Sequence, residues 1–246
     1  MQYTLTVSLA TLRAARTHSA DKDIRTYLCG VYLDTKAGKV VATDGHRMLI
    51  ANARGVMFPA GAAIIIPNDL LDAALKQFGG EYARGKALGV VDVAVTVDAS
   101  APSASSARVV TIKTPSGQVQ GVELSGQFPE WRRVVPKADD VATFAPAVLN
   151  WEYVMDACEA LTIAANIGKA KAGQHATRVQ QRGEFPAIVC SSNPNVMALV
   201  MPLRNGLHAE APQVACRMAH MDALPYSVET AERVELEAAA AVSAAA

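Results

Sequence analysis

Residues 39–53 read KVVATDGHRMLIANA. Val40, Val41 and Ala42 form a short apolar run, and Met48, Leu49 and Ile50 resume it, so the stretch predicts two strands. Thr43, Asp44, Gly45, His46 and Arg47 stand between them. An Asp-Gly pair between apolar runs signals a tight hairpin, because both residues tolerate the left-handed backbone of a turn. That explains the break. It does not explain a threonine, a histidine and an arginine crowded on the same turn, so 43–48 is a candidate site. As a catalytic centre the turn would need Asp44 to orient His46 toward a nucleophile. A carboxylate and an imidazole two residues apart on a turn are poorly placed for this. The chain also has no Gly-x-Ser-x-Gly elbow, so we expect no enzyme.

Outward from this stretch, one pattern occurs three times. YTLTV (3–7) alternates like a strand, and Ser8 can cap a helix carrying Leu9, Leu12 and Ala15. Strands follow at 27–33, 39–43 and 47–52. AAIIIP (62–67) restarts the cycle. Asn68 or Asp69 caps a helix through Leu70, Leu71, Ala74, Leu75 and Phe78, which Gly79-Gly80 ends. Strands return at 89–97, 107–113 and 118–124. ATFAPAVLN (142–150) then leads into the helical WEYVMDACEALTIA, with strands near 185–190 and 196–203. Each unit reads strand, helix, then about three strands. Two such units bury their helices on shared sheets and make a domain; a third must lean on a neighbour. The expected class is α+β, about one and a half domains. The connections are DASAPSASSA (98–107), a solvent loop; PKADD (136–140), a linker; and NIGKAKAGQHATR (166–178), a mobile Gly- and Lys-rich segment. From Gly206 an Ala-rich tail promises a frayed helix or disorder.

The 246 residues are 51% hydrophobic, enough for a buried core and against wholesale disorder. Residues 1–205 hold 21 Lys and Arg against 17 Asp and Glu, a balance of +4, and residues 206–246 offset it with −4. So small an excess argues for nucleic acid only if its cations share a face. Cys29, Cys158, Cys190 and Cys216 have no Cys-x-x-Cys spacing and no nearby histidine, so no metal set is expected. Free thiols suit a reducing compartment. There is no basic-then-apolar leader and no apolar run near the ~18–20 residues of a membrane span. The expectation is a soluble cytoplasmic protein that needs no cofactor and no membrane.

DIRTYLCGVYLDTKAGKVVATDGHRMLIANA (23–53) resembles the start of the middle domain of the bacterial sliding clamp, the β subunit of DNA polymerase III. The matching residues are Arg25, Tyr27-Leu28-Cys29-Gly30 and Val41 to Met48. GQFPEWRRVVPK (126–137) is similar to the segment that closes that domain, and LVMPLR (199–204) to the family's C-terminal end. The order of the three matches is the family's. The resemblance implies a middle-type domain over 1–137, a shortened last domain over 138–205, and an acidic tail, 206–246, unlike the family. It also implies that the family's first domain is missing, so that ring closure by the usual interface is in question. A reduced, phage-encoded clamp would fit.

By that resemblance the protein encircles double-stranded DNA and tethers a polymerase, raising its local concentration at the primer end. Sliding calls for sequence-independent phosphate contacts, and the matching region offers Arg13, Arg16, Lys22, Arg25, Tyr27 and Lys76. Arg84 and Lys86, at the exit of the second helix, and Lys169, Lys171 and Arg178, in the mobile loop after the third, are further cations, although the third helix itself is acidic. The resemblance further implies an apolar pocket for the tails of polymerase and clamp-loader proteins. It is built from Leu28, Thr43, Gly45, His46, Arg47, Met48, Pro136, Leu199, Met201, Pro202, Leu203 and Arg204. There Gly45 lets a backbone come close, Thr43 and Arg47 bond peptide carbonyls, and Met48, Met201 and Leu203 form a deformable floor. The alternative is a clamp-fold module that binds or sequesters such tails without encircling DNA. Self-association stays open.

Overall fold

Two strand-helix-meander units interlock, and a third extends one of their sheets. The computed structural model describes residues 2–57, 63–78, 80, 84, 86, 88–96, 108–114, 117–136, 148–166, 177–182 and 185–203. The first unit contains β1 (Gln2–Ser8), α1 (Leu9–Arg16), β2 (Gly30–Asp34), β3 (Lys39–Thr43), β4 (Arg47–Asn52) and β5 (Arg54–Met57). The second contains β6 (Ile64–Pro67), α2 (Asn68–Phe78), β7 (Val90–Thr96), β8 (Val109–Thr114) and β9 (Gly117–Val122). The third contains α3 (Trp151–Ala164), β10 (Thr177–Arg182), β11 (Phe185–Ser191) and β12 (Val196–Val200).

The strands form two antiparallel sheets, ordered β5-β1-β7-β8-β9 and β10-β11-β12-β4-β3-β2-β6. Each of the first two units sends its first strand to the other. β1 pairs with β7 from Gln2↔Thr96 to Ser8↔Val90, and β6 pairs with β2 from Gly30↔Pro67 to Leu33↔Ile64. Neither meander has its full sheet without the other unit, which is why two units make one domain. The third unit leans on the first: β12 runs along β4 with Met197↔Ile50, Ala198↔Leu49 and Leu199↔Met48. The described residues up to Leu203 form one compact unit.

The central strands are buried on both faces, so they read as continuous apolar runs and not as alternation. Val40, Ala42, Leu49 and Ala51 face the helices, packing with Leu12 and Ala15 of α1 and Val154, Ala157 and Leu161 of α3. Val41, Met48 and Ile50 face the other way and pack with Leu28, Leu199, Phe128 and Trp131. The segment carrying Phe128 and Trp131 is tied down by Asp34, which accepts bonds from Trp131 Nε1 at 3.1 Å and Arg132 Nη2 at 2.8 Å. Gly30 lies where the units interlock. A Cβ there would stand 2.5 Å from the carbonyl oxygen of Ile66 and 2.8 Å from Ile65 Cγ2.

Several expectations need correction. Ser8 sits at the start of α1 but makes no capping bond. Asn68 begins α2, yet its amide is spent on the loop after α1, where Oδ1 accepts from Ser19 and Nδ2 donates to Ala20 O. The strand expected at 27–33 begins only at Gly30, because Thr26–Leu28 is a 3-10 turn. Thr177 and Arg178, expected at the end of a mobile connection, lie in β10. Cys29, Cys158 and Cys190 are free thiols but half-buried. The expectations for 98–107, for 137–140 of the linker, for 142–147, for 167–176 and for the tail from Arg204 lie outside the described residues.

Candidate functional site

The β3–β4 turn is wider than the Asp-Gly pair suggests. Thr43 pairs with Met48, leaving four residues between them. Gly45 adopts φ +94°, which glycine takes at little cost. Asp44 Oδ1 accepts from the backbone N–H groups of His46 (2.8 Å) and Arg47 (3.0 Å), fixing the loop from within. Thr43 Oγ1 donates to Arg47 O at 2.7 Å and accepts from Gly45 N–H at 3.0 Å. The hydroxyl proton expected to meet a peptide carbonyl is therefore committed inside the turn.

Arg47 is committed as well. Nε donates to Asp44 Oδ2 at 3.0 Å, and Nη1 pairs with Asp156 Oδ2 on α3. Its guanidinium carbon lies 5.1 Å from the Tyr153 ring centre. The exposed His46 ring stacks on the same tyrosine, 5.7 Å between centroids and 18° from parallel. Asn150 caps this end of α3, its Oδ1 accepting from Glu152 N–H at 3.0 Å. The third strand of the site arrives from β12: Met201 N–H donates to His46 O and Leu203 N–H to Val148 O, each at 2.8 Å. Pro202 bridges Leu149.

The structure thus brings together Thr43, Gly45, His46, Arg47, Met48, Leu199, Met201, Pro202 and Leu203. Leu28, Met48 and Leu199 are 1%, 7% and 1% exposed, so they underlie the surface within the second core cluster. Met201 and Val148 are the exposed apolar groups, at 36% and 46%. Pro136 is half-buried after Val134 and Val135, which pack on the same cluster. Arg204 lies outside the described residues. Sequence reasoning missed Tyr153, Asp156 and Asn150. An N-cap asparagine followed by a tyrosine in the first helical turn is a local signal; the Arg47–Asp156 pairing across 109 residues has none. What approaches Gly45 is not an outside chain but Arg25, whose Nη1 would lie 3.1 Å from a Cβ there.

The expected DNA-contacting residues divide. Arg16 is used internally: Nε and Nη2 grip both Asp72 oxygens at 2.9 Å, and Nη2 also reaches Asp21, tying α1 to α2. Arg25 is exposed but pairs with Asp23 at 2.8 Å and donates to Asp44 O at 3.2 Å. The guanidinium bond from Arg25 to Asp23 holds the Asp23 carboxyl down to about 2. Tyr27 is half-buried against Gly126. Lys22 and Lys76 are exposed, as are Arg84, Lys86 and Arg178, and Arg13 is half-buried on α1. Lys169 and Lys171 lie outside the described residues.

His18 lies wholly buried under the Arg47 cluster. Nδ1 is 3.0 Å from Thr17 Oγ1, and Nε2 has no hydrogen-bond partner. Burial, and then the charge of Arg47, push its pKa down to about 4 against the weaker pull of Asp44 and Asp156. Two cavities lie away from the turn. One of about 740 Å³ is lined by Asn52, Asn166, Asn193 and Asn195; one of about 290 Å³ is lined by Tyr32, Arg108, Glu123, Phe128 and Trp131. The candidate site is a surface groove between the turn, the start of α3 and Met201–Leu203.

No family model and no curated protein sequence matches the chain. Solved structures do. The DNA polymerase sliding clamp of Pseudomonas aeruginosa is 15% identical over 82% of this chain and 66% of its own, with a TM-score of 0.55. The clamp of Caulobacter crescentus covers the same shares at 17% identity and a TM-score of 0.53. The fold is that of the bacterial DNA sliding clamp. The clamp of Bartonella birtlesii, solved bound to griselimycin, agrees at 18% identity and 0.53. This chain spans 66% of the length of these clamps.

Proposed function

We propose that this protein is a clamp-like accessory factor of DNA replication. It holds the apolar tail peptides of a polymerase or clamp loader in the groove at the Thr43–Met48 turn. The observation that supports this reading is the convergence of four segments, 28, 43–48, 150–156 and 199–203, on one groove in a clamp fold. Leucine and phenylalanine anchors would settle over Met48 and Leu199 and against Met201 and Leu203. Thioether side chains there adapt to anchors of different shape. The protein contributes no catalysis on this reading.

On the same reading Lys22, Lys76 and Arg13 would meet DNA phosphates without reading bases. A second reading, a module that binds tail peptides without encircling DNA, is favoured by one observation. Arg16, the cation that ends α1, is spent on Asp72 and Asp21, and α3 presents Glu152, Asp156 and Glu159 in place of cations.

The test is binding of a fluorescent synthetic peptide with leucine and phenylalanine anchors. Met201→Ala with Leu203→Ala is expected to weaken it by about 2 kcal/mol or more, since two apolar anchor contacts disappear. Unchanged affinity removes the groove assignment.

A further inference from the structure

The seam that docks the third unit on the first has two ends. β4 runs from Arg47, at the groove, to Asn52, and α3 runs from Trp151, also at the groove, to Ala164. At the far end residues of all three units surround the cavity of about 740 Å³. Amide side chains pin its walls together. Asn52 of the first unit donates from N–H to Asn195 O at 2.8 Å and from Nδ2 to Asn195 Oδ1 at 3.0 Å, reaching the third. Asn166 of the third pairs with Leu88 of the second as a strand would: Nδ2 donates to Leu88 O and Oδ1 accepts from Leu88 N–H, each at 2.6 Å. A cavity whose walls are bonded to one another is preformed, and its size falls within the range of small-molecule sites, about 300–1,000 Å³.

Among the described residues its lining is polar yet carries no charged side chain. Charge enters through two helix ends. α1 starts at this cavity, after Ser8. Ser8 makes no capping bond and the first turn of α1 holds no acid. First-turn N–H groups have no partner within their helix, so this wall is electropositive. α3 finishes at the same cavity, where Ala164, Ala165 and Asn166 line it, with no base in its last turn. Its terminal carbonyls make that wall electronegative. A hydroxyl shows where a ligand atom would go. Thr11 lines the cavity and is 6% exposed, and its Oγ1 has no hydrogen-bond partner among the described residues. The Ser8 hydroxyl, one turn earlier on the same wall, is likewise unspent. Buried polar groups are paired as a rule, and one left open on a cavity wall is a standing acceptor or donor for a ligand.

We propose that this cavity binds a small zwitterion, an amino acid or a dipeptide, and that the bound molecule ties the third unit to the first. Its carboxylate lies against the start of α1, accepting from the Thr11 and Ser8 hydroxyls and the first-turn N–H groups. Its ammonium lies against the end of α3, donating to the last carbonyls. An anion alone would leave the α3 wall unmatched, a cation alone the α1 wall, and an uncharged polyol would gain nothing from either. Uncharged asparagine walls suit an uncharged side chain. One end of the ligand is held by the first unit and the other by the third, so occupancy opposes undocking. The groove at the other end of β4 takes no part in this.

The experiment is calorimetric titration of the full chain with glycylglycine and with the L-amino acids that have uncharged side chains, beside acetate, methylammonium and glucose, followed by amide NMR and urea unfolding. We expect saturable binding of a zwitterion, shifts at Ser8, Thr11 and Asn166, and a higher urea midpoint with ligand present. Thr11→Val keeps the shape of the side chain and removes only the unspent hydroxyl. It should weaken binding by about tenfold or more without lowering the midpoint of the free protein. Ser8→Ala, at a half-buried position, should weaken binding in the same direction. No binding by any zwitterion overturns the proposal. So does acetate, methylammonium or glucose binding as tightly, or wild-type affinity in Thr11→Val. Should Thr11→Val fail to fold, wild-type affinity in Ser8→Ala overturns it equally. The leucine- and phenylalanine-anchored peptide is absent from these titrations, so this site and the groove stand or fall separately.

Discussion

Acid should unfold this protein first through His18. The imidazole is completely buried, one of its nitrogens has no partner, and a guanidinium lies nearby, so the folded state holds it neutral. Its pKa falls from 6.5 in the open chain to about 4 in the fold. Between those values the unfolded chain binds a proton that the native state refuses. Stability therefore falls as pH falls, and the contribution is present in full only above the unfolded value. Each pKa unit corresponds to about 1.4 kcal/mol, so crossing the window costs about 3 kcal/mol, a large share of a typical folding free energy. Asp23 and Asp34 are both held below their ordinary 3.8 in the fold, so their contributions are lost progressively from about pH 5 downward, equally in wild type and in a His18 variant, and the comparison of the two slopes isolates His18. The assay is urea unfolding at closely spaced pH values between about 7 and about 4. In His18→Phe the ring volume remains while the titrating group and its orphaned nitrogen go. The slope over the window should flatten in the variant. An equal slope in wild type and variant would refute the assignment, and so would a wild type with no slope there.

Three further outcomes follow from the geometry. Gly30→Ala places a methyl group 2.5 Å from a backbone oxygen in the β2–β6 seam, where neither strand can retreat, and should cost at least about 2 kcal/mol in chemical denaturation. Asp156→Ala removes one anchor of Arg47 while Asp44 keeps the other. We expect a loss of about 1 kcal/mol at low salt that shrinks in high salt, because the Asp156 side chain is 47% exposed. On the proposed clamp reading, retention on duplex DNA should fall with salt without depending on sequence, and Lys22→Ala or Lys76→Ala should each lower the salt slope by about one; a preference among duplexes counts against that reading.

The three helices and most strands were legible because their apolar spacing is strong. Leu70, Leu71 and Ala74 or Val154, Ala157 and Leu161 admit no other periodicity. β10 was not legible. TRVQQR holds one apolar residue, Val179, and that residue is 37% exposed, so an edge strand with an uncovered face looks like a polar loop. β5 was lost because it follows β4 after a single residue with no turn signal. The turn at 43–48 announced itself by composition, but the tasks of its side chains did not. Sequence displays cations without their partners: Arg16 looks available until Asp72, 56 residues away, is seen to hold it, and Arg47 likewise with Asp156. The three-fold repeat was visible from strand and helix order. Which unit lends its first strand to which is a long-range choice, and only β1 beside β7 and β6 beside β2 reveal it.

The polar crowd on the turn therefore serves the turn. Asp44 collects two backbone N–H groups and Arg47; Arg47 divides itself between Asp44 and Asp156; Thr43 closes its own loop; Arg25 rests on Asp23 and Asp44. With those charges satisfied inside the chain, the rim presents the stacked rings of His46 and Tyr153 and two apolar side chains, Val148 and Met201, that shed water at little cost. A groove built this way discriminates by apolar shape more than by charge. The same economy makes it rigid. The turn, α3 and the end of β12 are joined by Arg47, by the His46–Tyr153 stack and by two backbone hydrogen bonds, from Met201 to His46 and from Leu203 to Val148, so the groove keeps its shape only while the third unit stays docked on the first. On the proposed reading, peptide binding and the β4–β12 seam are energetically one structure, and whatever steadies the third unit also steadies the groove.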